Sequence, residues 1–219
     1  MTSISGIAGQ AKLWTGMAML VVGVATAQGA HAGAIPYPNP GTPNPITYTF
    51  TAAATGDVYA YFAGSGASYD EQLGLLDNGV LTSAGFGLDD HTSSLGQVFD
   101  LGHVTVGDSL VFVLAVTSPA LGYVYSDPSL NSSYDANGTA GHNHIYSTAY
   151  TGTPSLPGVP DGVYVGFEDQ PFPGSDFNYG DETYVFTNVS MSTAVPEPGS
   201  LALFGFGLAG LWAIRRRSI

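Results

Sequence analysis

Between Gly33 and Ala194 no long stretch repeats its apolar residues at helical spacing; short runs rich in Val, Tyr, Phe and Thr alternate instead with clusters of Gly, Asp, Asn and Pro. A period of two puts alternate side chains on opposite faces of a strand, so the pattern demands an all-β fold. Ile46 to Thr51 (ITYTFT) and Asp57 to Phe62 (DVYAYF) show the alternation plainly, and further runs fall at 97–101, 109–117, 145–150, 162–167 and 183–189. They predict seven to nine strands joined by turn-forming residues. The 109–117 run (SLVFVLAVT) is almost wholly apolar, which suits a central strand covered on both faces. The expectation is one β-sandwich or jelly-roll-like domain over 46–194. Residues 118–143 read as a long polar irregular segment, either functional or mobile.

Charge narrows the partners. The formal net charge is −13, and the four basic residues are Lys12, Arg215, Arg216 and Arg217. Gly33 to Ala194 therefore holds no Lys or Arg but sixteen Asp and Glu. Such a surface repels phosphate backbones, so nucleic-acid binding is excluded, and anionic lipid surfaces are disfavoured. Each carboxylate must be solvated, hydrogen-bonded or bound to a cation, because no Lys or Arg partner exists. The chain has no cysteine, which removes thiol catalysis and thiolate metal sites.

The two ends read as addresses. Residues 1–32 resemble a secretory signal peptide: a weakly basic start, the apolar run Leu13 to Ala27, and the A-x-A cleavage pattern Ala30-His31-Ala32, with Ala25-Thr26-Ala27 as a second candidate. The secretion translocon and signal peptidase are the implied partners. Residues 33–45 hold five prolines and are expected to form an extended, flexible spacer. At the other end, Val195-Pro196-Glu197-Pro198-Gly199 precedes the apolar run 200–214 and the arginines Arg215, Arg216 and Arg217. Positive charge at that end orients the body outward. Fifteen helical residues reach roughly 22 Å, short of the ~30 Å hydrocarbon core, as suits a transient transmembrane helix.

The order VPEPGSLALFGFGLAGLWAIRRR resembles the PEP-CTERM sorting signal of exopolysaccharide-producing Gram-negative bacteria. That resemblance implies recognition by an exosortase and delivery to the outer surface or the extracellular matrix of a biofilm. Pro196, Glu197 and Pro198 would then be substrate features of that enzyme.

Inside the body the richest stretch is 162–189, where two strands flank an acidic loop bearing Glu168, Asp169, Asp176, Asn178, Asp181 and Glu182. Oxygen ligands at alternate positions with a turn glycine suit a hard cation, and Asp169, Asp176, Asn178 and Asp181 are the candidate Ca2+ ligands. The alternative is that these side chains cap their own turn. Gly166-Phe167-Glu168-Asp169, with Asp176, Tyr179 and Asp181, also resembles an uncharacterised exported bacterial domain whose pattern runs from GFED to D-x-D-Y-N-D. That resemblance implies calcium binding without a settled activity; Asn178 and Gly180 depart from it and remove one negative charge. Asp135-Ala136-Asn137-Gly138-Thr139 is a weaker loop of the same kind.

His142 and His144 would share a strand face, as a metal pair requires, but no third ligand is evident, and polar loop histidines are the alternative. Asp89-Asp90-His91 has the same ambiguity. No nucleophile elbow, P-loop or HExxH motif appears. Glu168 and Asp169 would point to opposite faces of a strand. The leading expectation is thus an exported, non-enzymatic structural protein of the matrix. Two alternatives stand beside it: a carbohydrate-binding module using Tyr123, Tyr125 and Tyr134, and, more remotely, a glycoside hydrolase.

Overall fold

The computed structural model describes residues 35–135 and 141–194. The leader with Ala30 and Ala32, the tail from 195 with Pro196, Glu197, Pro198, Arg215, Arg216 and Arg217, and Asn137 in the weaker loop lie outside the described residues.

Among the described residues, twelve strands form two antiparallel sheets. They are β1 (Thr47–Ala52), β2 (Gly56–Ser65), β3 (Asp70–Asp77), β4 (Val80–Leu81), β5 (Gly87–Asp89), β6 (Val98–Val104), β7 (Ser109–Ser118), β8 (Gly122–Tyr125), β9 (Ile145–Tyr150), β10 (Gly162–Phe167), β11 (Glu182–Thr187) and β12 (Val189–Ala194). One sheet runs β12-β1-β7-β3-β4, with β8 paired to β7 and β5 to β3; the other runs β6-β2-β11-β10-β9. The chain passes back and forth between them, so the expected all-β sandwich is the architecture observed.

Alternation builds the core. Phe50, Phe112, Leu114, Leu75, Phe62, Val165, Tyr184 and Phe186 face the space between the sheets. Phe112 of β7 and Phe186 of β11 stack across that space with centroids 3.7 Å apart. β7 is covered on its other face too, since Phe86 lies over Gly74 and Val113 and stacks on Tyr123. A Cβ on Gly74 would sit 2.8 Å from the Phe86 ring, so a glycine is what lets that ring lie flat on the sheet.

Two expectations change. Residues 35–45 are not a free spacer: Tyr37 is buried against Tyr146 and Tyr179, and Asn44 bonds Tyr179, Tyr48 and Ile145. The prolines stiffen that segment while two side chains fasten it. The 118–143 segment is not wholly irregular either, because it contains β8 and a 3-10 helix (Pro128–Ser133) whose N-cap is Asp127.

Candidate metal centre

Seven of the sixteen body carboxylates are buried: Glu71, Asp90, Asp135, Glu168, Asp169, Asp181 and Glu182. Three of them, Glu168, Asp169 and Asp181, each present an oxygen within 4.8 Å of the other two. Glu168 and Asp169 follow the end of β10 at Phe167, and Asp181 precedes β11. Because the chain has left the strand, the expected divergence of Glu168 and Asp169 fails and both carboxylates turn toward Asp181.

The backbone here is held by Tyr134 and His144. Tyr134 donates its hydroxyl to the Asp169 carbonyl, His144 Nδ1 donates to the Glu168 carbonyl (2.9 Å), and the Glu168 N–H donates to the His144 carbonyl (2.9 Å). Asp169 N–H donates to Asp181 Oδ2 at 3.0 Å, tying the two ends of the loop. Gly166 makes this closure possible, since a Cβ there would lie 2.2 Å from the Tyr179 carbonyl oxygen.

Electrostatically the cluster is uncompensated. Both carboxylate oxygens of Glu168 lack a hydrogen-bond partner, although Ser175 and the Tyr179 N–H lie beside them. Burial raises Glu168 and Asp169 above their ordinary values. Asp181 is pushed up to about 9, first by burial and then by the negative charges of Glu168 and Asp169. Taking a carboxylate out of water is costly unless a charge compensates it. A hard divalent cation with oxygen ligands is the group these residues fit, and Glu168, Asp169 and Asp181 would hold it.

The other candidate ligands do something else. Asp176 accepts from the Asn178 N–H (3.0 Å) and side-chain amide (2.8 Å), and Asn178 accepts from the Gly180 N–H. They cap the turn, and so help hold Phe177 and Tyr179 at positive φ (57° and 53°), where bulky residues rarely sit. Asp169 and Asp181 thus join the cluster, whereas Asp176 and Asn178 shape the loop. Glu168, on the same acidic loop but outside the ligand set that the alternate-oxygen spacing suggests, joins the cluster as well.

The histidines do not form a metal pair. Asp135 lies between them, Oδ2 at 3.1 Å from His142 Nδ1 and Oδ1 at 2.9 Å from His144 Nε2, while also accepting the N–H of Phe172. Burial pushes the Asp135 carboxyl up, but the donors of His144, His142 and Phe172 outweigh it and hold it below its usual value. His144 is fully buried, not an exposed loop histidine. At the surface, His91 Nδ1 lies 3.1 Å from Asp70 and 2.8 Å from Asp90. Tyr134 is buried and committed to Asp169, which removes it from any exposed sugar platform. Tyr123 stays half exposed, stacked on Phe86 and 6.4 Å from the Tyr125 ring.

Residues 194–217 match the family described as the PEP-CTERM protein-sorting motif. The chain carries a PEP-CTERM sorting signal. Export, a membrane-anchored sorting stage and exosortase as processing partner follow from that signal. The PEP-CTERM match begins at Ala194, the last residue of β12, so the sandwich adjoins its sorting signal directly. No curated protein and no solved structure matches the chain.

Proposed function

We propose that this exported protein is a non-enzymatic structural component of the cell surface or extracellular matrix, and that Ca2+ bound by Glu168, Asp169 and Asp181 stabilises it. The observation carrying this reading is the convergence of three buried carboxylates in a body without Lys or Arg. The burial also favours a structural over a hydrolytic role. Glycosidase carboxylates stand ~5 Å or more apart with room for a sugar between them. Glu168, Asp169 and Asp181 are 0%, 3% and 6% exposed, which leaves no such room.

Calcium titration of the purified full-length protein, followed by thermal unfolding, tests the reading. A ligand at a hundredfold its Kd stabilises by about 2.7 kcal/mol. Millimolar Ca2+ should therefore raise Tm well beyond NaCl of equal ionic strength, and Glu168→Gln should remove the difference. Equal shifts from the two salts would reduce the effect to screening and reject the site.

A second reading, glycan binding, is favoured by Tyr123, which is half exposed on β8 and lies beside the partly buried rings of Phe86 and Tyr125. Aromatic faces of this kind stack on apolar ring surfaces. Retention on neutral polysaccharide gels that Tyr123→Ala weakens would support it; no retention across a broad panel would reject it.

A further inference from the structure

Away from the loop site, a second group of ligand atoms converges where β5 runs out. Asp70 opens β3, and Asp90 and His91 follow β5 directly. One ligand atom each from Asp70, Asp90 and His91 lies within 4.8 Å of the other two. His91 Nδ1 stands 3.1 Å from Asp70 Oδ1 and 2.8 Å from Asp90 Oδ2. The chain turns here: Leu88 takes a positive φ of 56°, and Asp89 Oδ1 accepts the N–H groups of His91 and Thr92 and the Thr92 hydroxyl, each at 3.1 Å. Having left the strand, the consecutive residues Asp90 and His91 need not diverge, and both face Asp70. Of the acidic pair that precedes His91 in sequence, Asp89 thus spends its oxygen on the turn, and the third ligand comes from the start of another strand.

The three side chains sit differently in the fold. That of Asp90 is 1% exposed. Its Oδ1 accepts the Glu71 N–H at 2.9 Å, whereas Oδ2 points at His91 and has no other partner among the described residues. A buried carboxylate oxygen is therefore aimed into the group with only the imidazole to meet it, and buried polar atoms ordinarily have full partners. Nδ1 carries at most one proton, so it cannot give each of the two carboxylates its own well-aligned hydrogen bond. No Lys or Arg exists between Gly33 and Ala194 to supply another positive charge. The His91 and Asp70 side chains are 49% and 51% exposed, which leaves the outer side of the group open to water.

We propose that Asp70, Asp90 and His91 form a site for a divalent transition metal of the zinc class. Ca2+ and Mg2+ take oxygen ligands, whereas an imidazole nitrogen beside carboxylates selects Zn2+ and its neighbours. Ligands ~2.1 Å from one Zn2+ and roughly 90° to 110° apart stand ~3.0 to 3.4 Å from each other, close to the His91 spacings to the two carboxylates. Three protein ligands leave the fourth tetrahedral position to water on the exposed side. β5 is only three residues long and pairs with β3 through Gln72↔Asp89 and Leu73↔Gly87. An ion shared by Asp70, Asp90 and His91 fastens the exit of that short strand to the start of β3. The site shares no residue with the proposed Ca2+ loop and does not rest on it.

Isothermal titration of Zn2+ into the full-length protein tests the site, with millimolar Ca2+ present so that the loop is not free to take the ion. A single Zn2+ should bind per chain. His91→Gln and Asp70→Asn should each weaken it by roughly tenfold or more, since even outer-shell partners of a metal are worth that much. Both side chains are half exposed, so these variants keep the fold, which far-UV circular dichroism checks; Asp90 is left intact because it also holds the Glu71 N–H. His103→Gln removes an exposed imidazole 2.9 Å from a different carboxylate, that of Asp57, and should leave Zn2+ binding unchanged. A wild-type chain that takes no Zn2+, or H91Q and D70N variants that bind it as tightly as wild type, overturns the site. Equal losses in H91Q and H103Q mean adventitious surface chelation and overturn it too. So does binding that Glu168→Gln abolishes and H91Q does not, because the ion then sits in the loop.

Discussion

At the scale of single residues, Asp135 does more than its position in a turn-like stretch announces. Its carboxylate takes the N–H groups of His142 and Phe172 and faces both imidazoles, so it ties His142 and His144 to Phe172 beside the candidate cation loop. Removing one member of a buried charged network costs about 3–5 kcal/mol, because its partners stay buried and unsatisfied. Asp135→Ala should lose stability on that scale in urea denaturation, and Asp135→Asn distinctly less. Since the folded carboxyl lies below its ordinary 3.8, the stability it supplies is present above about pH 4 and drains as the pH falls further. The gap between wild type and Asp135→Asn should therefore close only below about pH 4; a constant gap down to pH 2 would contradict the ion pair. In sequence, Asp135 stands out only as the first residue of a weak cation-like loop, and nothing local announces its pairing with His142, His144 and Phe172. Glu71 and Glu182 were legible in principle: each sits two residues before an inward apolar side chain, Leu73 and Tyr184. A glutamate in a strand is ordinarily read as solvent-facing, which hid them.

At the scale of elements, the strongest strands were readable. The runs at 145–150 and 162–167 coincide with β9 and β10, and 109–117 with β7 to within a residue. Those segments owe their strand character to β-branched and aromatic residues in local alternation. β3 was not readable, because DEQLGLLD carries acids at both ends and a glycine in the middle. Its strand state comes from eight registered partners along β7. β8 is likewise a strand because β7 offers it an edge beyond the point where β1 departs. β7 is thus the hub of its sheet. Phe112, fully buried on β7 and stacked on Phe186, is its main contact across the layers. Phe112→Ala should cost about 3–5 kcal/mol, read as a lower urea midpoint with the slope unchanged. A loss under ~1 kcal/mol would mean the sheets do not depend on that stack.

At the scale of the whole molecule, export and charge belong together. A body with sixteen carboxylates and no Lys or Arg repels itself in a cation-poor medium, and on the proposed reading divalent ions met after export relieve that repulsion. Mass spectrometry of protein recovered from the surface should find the chain beginning near Gly33 and lacking the arginine tail. Intact tails in all surface material would contradict processing at the PEP-CTERM signal.

The sequence by itself settled the all-β class, the sorting signal and the lack of any Lys or Arg counter-charge in the body. Those properties are local or additive, so spacing and composition carry them. Only the tertiary structure decided which carboxylates are buried together. Strand period tells which face a side chain takes, but not which strand ends meet across the layers, nor where a chain leaves its strand. That is why Glu168, Asp169 and Asp181 converge in space while Asp176 and Asn178, equally promising in sequence, spend their oxygens on a turn.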